Sequence, residues 1–107
     1  MSRKGKNPKG TRNVLVDLGF EDAEELSAKV ILAMRINALI DQRELSQTAA
    51  ADVIGMSQPK VSQVRRYQLQ NISLERLMQA LVSLGQHVEI VVQPARRAQV
   101  AGITVAG

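Results

Sequence analysis

The stretch "SQTAAADVIGMSQPKVSQV", residues 46–64, decides the fold of the chain. It fits two short helices that cross near a right angle and are joined by a tight turn. Ala51 supplies the small side chain needed where such helices touch. Gly55 supplies the positive φ that the turn requires, and that only glycine adopts cheaply. Val61 and Val64, three residues apart, supply the apolar contacts that hold the second helix on the first.

Capping residues mark where both helices begin. Ser46 precedes the first helix and Ser57 the second, and a serine side chain at such a position accepts a hydrogen bond from a free backbone amide. Pro59 then falls in the first turn, where a missing N–H costs nothing. The stretch therefore predicts a helix-turn-helix motif whose second helix starts abruptly.

The second helix presents a polar face opposite Val61 and Val64. Glutamine can pair with adenine through two hydrogen bonds, serine can donate or accept one, and arginine binds guanine or phosphate. No acidic residue occurs between Gly55 and Gln70, which favours DNA over a merely solvated surface. We expect the base-reading residues to be Gln58, Ser62 and Gln63. We expect the phosphate contacts to be Lys60, Arg66, Gln47 and Ser57, the last two through helix N-termini; the role of Arg65 stays open.

The flanking sequence predicts further helices. "NVLVDLGF", residues 13–20, alternates apolar and polar positions and predicts a short extended segment. Asp22, with Glu25 three residues on, resembles a capping box and predicts the start of a helix of about 20 residues. Ser73 and Gly85 bracket another amphipathic helix.

The segment "HVEIVVQ", residues 87–93, is dense in β-branched residues and predicts a strand that Pro94 ends. Its backbone N–H and C=O groups need hydrogen bonds from a second strand. Three candidates could supply them: residues 103–105, residues 14–16, or the same strand of a second copy. We favour the last, a two-fold dimer with half-sites roughly 34 Å apart on DNA. Its interface would contain Val88, Ile90 and Val92.

Composition excludes several other classes. The chain has 107 residues, which suits one domain, and a net charge of +4, with five basic residues and no acid in residues 1–13. Without cysteine, and with one histidine, no metal site, cofactor site or catalytic arrangement is evident, so we expect no enzyme. Two aromatic residues are too few for RNA recognition by stacking. No apolar run reaches the roughly 18 residues of a membrane span, so a cytoplasmic protein is expected.

Residues 35–66, "RINALIDQRELSQTAAADVIGMSQPKVSQVRR", resemble the helix-turn-helix domain of phage repressors and XRE-type regulators. More narrowly, "NVLVDLGFEDAEEL", "SLERLMQALVSLGQHVEIVV" and the tail "ITV" resemble HigA-like antitoxins. That resemblance implies a dimeric antitoxin that represses its own operon and neutralises a RelE/HigB-like toxin, a basic ribonuclease. Glu44 departs from the family pattern, which has glycine at the end of the first helix. "VRRYQLQN" also lacks the usual glycine, which leaves open where the recognition helix ends.

The predicted fold is mainly α: a phage-repressor-like helix-turn-helix bundle with a C-terminal β-strand used in dimerisation. Residues 1–12 would be a flexible basic arm, residues 13–93 the DNA-binding domain, and residues 94–107 a flexible or weakly β tail. The predicted function is a sequence-specific repressor acting as an antitoxin, and the alternative is a stand-alone XRE-type regulator without a toxin. For the toxin, the acidic stretch 17–25 and the tail are candidate surfaces.

Overall fold

A computed structural model describes residues 14–95 and 102–106. It contains four helices in these ranges: α1 Val14–Gln42, α2 Gln47–Ile54, α3 Gln58–Arg65 and α4 Leu74–Ser83. Helix α1 packs against α4 and α3, and α2 packs against α3 and α4. No helix within the described ranges is long and apolar enough to cross a membrane. The arm expected over residues 1–12 lies outside the described residues.

Helix α1 begins earlier than expected. It starts at Val14, so the predicted extended segment over residues 13–20 and the predicted start at Asp22 are both wrong. An extended segment needs a neighbouring strand to satisfy its backbone, and within the described ranges none runs beside it. A helix satisfies its own N–H and C=O groups, so adding turns to α1 needs no partner.

The remaining helix boundaries agree with the capping residues of the sequence. The hydroxyl oxygens of Ser46, Ser57 and Ser73 each accept a hydrogen bond from the backbone N–H three residues later, at 3.0, 3.3 and 3.1 Å. Gly55 closes α2 with a φ of 79°, and Gly85 follows α4 with a φ of 83°. The predicted helix-turn-helix is therefore present, with its proline in the first turn of α3.

Two departures from the glycine pattern produce unusual backbone geometry. Glu44, after α1, and Tyr67, after α3, adopt φ values of 53° and 60°, which glycine adopts without strain. At Tyr67 the chain closes α3 as a glycine would, because the Gln68 N–H donates to the Gln63 carbonyl at 2.8 Å. The recognition helix therefore ends at Arg65, with Arg66 as its C-cap.

The core is aliphatic and lies where the four helices meet. Val61 and Val64 are 1% and 2% exposed, and Ala51 is 7% exposed, as the motif requires. The largest buried side chains from the other elements are Ile36, Leu69, Leu77 and Leu84. Burying a side chain of this size contributes roughly 1.5–3 kcal/mol, so the two valines help to hold α3 on the core.

The expected strand is not found. Residues 86–95 have no regular secondary structure, and no strand occurs within residues 14–95 and 102–106. Val88 packs against the core, but Ile90 and Val92 are 72% and 92% exposed. Residues 14–16 are helical and cannot be the partner. Residues 103–105 form no strand with this segment either, although Val105 contacts the core.

Candidate nucleic-acid interface

Helix α3 presents the predicted polar face to solvent. Gln58, Pro59 and Arg66 are exposed, whereas Ser62 and Gln63 are half-buried. The face follows from the packing, because Val61 and Val64 turn inward and leave these five positions outward or at the margin.

The N-termini of α2 and α3 lie side by side at one corner of this face. The Gln47 side-chain amide donates to the Gln58 carbonyl at 3.4 Å. The Ser57 hydroxyl, as the cap of α3, stands at the same corner. Three of the predicted contact residues are thus brought together from two helices. Free backbone amides and positive helix ends make such a corner suitable for a phosphate.

Gln63 has hydrogen-bonding capacity that the fold leaves unused. Its side-chain oxygen is buried and has no hydrogen-bond partner among the described residues. Leaving such a group unpaired costs roughly 1–3 kcal/mol, which a hydrogen bond from another molecule would recover.

Lys60 and Arg66 lie at different parts of the helix. The Lys60 ammonium donates to the Asn71 carbonyl at 3.2 Å, which places it towards the loop after α3. The Arg66 guanidinium approaches the Ser62 carbonyl at 3.5 Å and is otherwise exposed at the C-terminus. Both remain cationic side chains on the margin of the polar face.

Arg65 holds α3 on α1. Its Nη2 lies 2.7 Å from Asp41 Oδ1, and its Nη1 donates to the carbonyl and the side-chain oxygen of Asn37, both at 3.2 Å. The buried Asn37 amide in turn donates to the Val64 carbonyl at 3.1 Å. These bonds orient the recognition helix and engage the Arg65 guanidinium with α1.

Arg76, in the first turn of α4, belongs to no motif of the sequence. Its Nη2 donates to the carbonyl of Gly55 at 3.1 Å, so it ties α4 to the turn between α2 and α3. No local sequence pattern predicts this contact, since Arg76 and Gly55 are 21 positions apart. It brings a further exposed cation close to the motif.

Comparisons with known proteins agree with this geometry. A family model described as "Helix-turn-helix domain" matches residues 14–93. A solved structure named "Putative XRE Family Transcriptional Regulator" is 48% identical to the chain, with a TM-score of 0.74, and the match covers 80% of this chain and 98% of that one. Among curated proteins, none matches. The chain belongs to the XRE family of helix-turn-helix transcriptional regulators.

Proposed function

We propose that the chain is a sequence-specific repressor that reads duplex DNA with the outward face of α3. The observation that carries this proposal is that α3 has a buried apolar face and, opposite it, a polar face. Val61 and Val64 fix α3 to the core, and the opposite face holds polar side chains without a single acid. A helix of this kind fits the major groove, where its early residues reach base edges.

The residues divide into two roles. Gln58, Ser62 and Gln63 read bases through hydrogen bonds in the groove. The phosphate-contacting residues hold the helix in register and carry no sequence information themselves. They are Gln47, Ser57, Lys60 and Arg66.

Gel shifts at several salt concentrations test DNA binding, with the DNA upstream of the chain's own gene as the probe. Specific binding should weaken steeply as salt rises, since phosphate contacts release counterions. Gln63→Ala should weaken binding, because a bidentate pairing between a side chain and a base is worth about 1–3 kcal/mol. Arg66→Ala should weaken binding because it removes a phosphate contact. Gln42→Ala and Arg35→Ala, exposed positions on α1, are the matched controls. Wild-type affinity in both test variants would refute the site assignment.

Dimerisation is part of the proposal. The exposed segment with Ile90 and Val92 has no partner strand among the described residues, and its β-branched composition suits pairing with a second copy. Two copies would then present two α3 helices to a palindromic operator. Ile90→Pro and Val91→Pro, each lacking one backbone donor, should shift the mass seen by light scattering towards the monomer. Val82→Asp is the control: it alters an exposed apolar residue on α4, outside this segment, and should leave the mass unchanged. A wild-type monomer at micromolar concentration would contradict this part.

We further propose that the repressor is an antitoxin for a basic ribonuclease toxin. The support is the acid-rich first half of α1 together with the exposed apolar segment 90–92. Glu25 already pairs with Lys29 at 3.6 Å, so other acids of α1 would carry more of the contact. A stand-alone regulator fits the fold equally well.

Co-expression with the adjacent open reading frame distinguishes the antitoxin from the stand-alone regulator. An antitoxin should restore growth when the neighbouring protein is induced, and the two should purify together. A stand-alone regulator would give neither result and would still shift DNA.

A further inference from the structure

A recess of about 60 Å³ lies between the start of α3 and the start of α4. Two of its lining side chains are cationic and none is acidic. The lining residues are Met56, Lys60, Asn71, Ile72 and Arg76. Met56 and Ile72, the two apolar lining residues, are buried.

Neutral groups hold both cations in place. The Lys60 ammonium donates to the Asn71 carbonyl, and the Arg76 guanidinium donates to the Gly55 carbonyl and to the Gln79 side-chain oxygen, at 3.2, 3.1 and 3.4 Å. Neither cation forms a salt bridge with a carboxylate among the described residues. These bonds orient the side chains, and the carboxylate of Glu75 reaches Arg76 only through Gln79, whose amide donates to it at 3.5 Å.

The recess adjoins the proposed DNA-reading surface. Lys60 belongs to α3, two residues after Gln58, whereas Arg76 belongs to α4 and reaches the turn that precedes α3. A ligand between the two cations would therefore touch both the recognition helix and the following helix.

We propose that this recess binds a backbone phosphate of the DNA, with Arg76 as a positioning residue outside the helix-turn-helix. The proposal rests on the proposed function. Lys60 and Arg76 donate to the non-bridging oxygens of one phosphate, using the donor capacity that their carbonyl partners leave free. The contact fixes the angle of α3 in the groove without reading sequence.

The salt dependence of DNA binding tests this assignment. The double variant Lys60→Gln/Arg76→Gln removes one neutralised phosphate and should make the negative slope of log K against log salt shallower by about 0.9. Each single variant should make it shallower by a smaller amount, because the other cation still contacts that phosphate. If the double variant and the wild type bind DNA equally at 1 M salt, the shallower slope makes the double variant's binding roughly eightfold weaker at 0.1 M salt. The factor should be the same for specific and unrelated duplexes, because a phosphate contact carries no sequence information. Arg76→Lys, which keeps the charge, should retain the wild-type slope.

Arg35→Gln is the matched control, since it removes the same charge from an exposed position on α1. Thermal unfolding followed by circular dichroism identifies any variant that fails to fold. If Arg76→Gln fails, the salt slopes of Lys60→Gln and Arg76→Lys are compared with the wild-type slope instead. A slope for Arg76→Gln equal to that of Arg35→Gln overturns the phosphate site and leaves the proposed function standing. A change in the preferred sequence would also overturn it, because Arg76 would then read bases. No DNA binding by the wild-type chain would overturn both proposals.

Discussion

Replacing Asn37 with alanine should loosen the recognition helix, and the contacts allow the size of the effect to be estimated. Asn37 is 7% exposed, and its amide donates to the Val64 carbonyl at 3.1 Å. Its side-chain oxygen accepts from the Arg65 guanidinium at 3.2 Å. A neutral hydrogen bond contributes about 1 kcal/mol net and one to a charged group about 1.5–3 kcal/mol.

The two contributions add to about 2.5–4 kcal/mol. The expected loss lies near or below the lower end of that range, because neither partner of Asn37 is left without a hydrogen bond. The Val64 carbonyl also accepts the Tyr67 N–H at 3.1 Å, and Arg65 keeps Asp41. Asn37→Ala should therefore lower the free energy of unfolding by about 2–3 kcal/mol. Asp41→Ala removes an ion pair whose carboxylate is 67% exposed and should cost less than about 1 kcal/mol.

Urea unfolding followed by circular dichroism at 222 nm measures both variants against the wild type. The reasoning requires Asn37→Ala to be clearly the less stable of the two and to bind DNA more weakly at a temperature where it is still folded. Equal stabilities for the two variants, or an Asn37→Ala midpoint within error of the wild type, would show that this network does not hold α3.

Glu44→Gly should raise the free energy of unfolding by about 1 kcal/mol, because it relieves the left-handed backbone at φ 53°, and a higher melting temperature would confirm it. An unchanged or lower melting temperature would count against that strain. Val61→Ala removes two methyl groups from a side chain that is 1% exposed and should cost about 2–3 kcal/mol, measured by urea unfolding. Val53→Ala, at 42% exposure, is its control, and a similar loss in both would mean that α3 is not held by its buried valines.

The helix-turn-helix was predictable because its requirements are local. Ala51, Gly55, Val61 and Val64 each satisfy a steric condition that depends only on spacing along two adjacent helices. The serine caps likewise act within three residues of themselves, so the starts of α2, α3 and α4 followed from the sequence.

Other features depend on contacts between distant residues or with another molecule. The bonds from Arg65 to α1 and from Arg76 to Gly55 span 28 and 21 positions, and no local pattern encodes them. The start of α1 differs from the prediction, because alternating apolar residues suit a strand only where a neighbouring strand exists. The segment around Ile90 has the composition of a strand, but a strand is realised only when a partner supplies its hydrogen bonds.

Selection from a pool of random duplex DNA tests the central claim most directly, namely that the outward face of α3 reads bases. The wild-type chain should enrich one sequence motif, arranged as two half-sites about one helical turn apart. Gln63→Ala should still bind DNA but should lose the preference at one base pair of each half-site. A pool that stays random with the wild type, or the same motif at full strength with Gln63→Ala, would contradict the account.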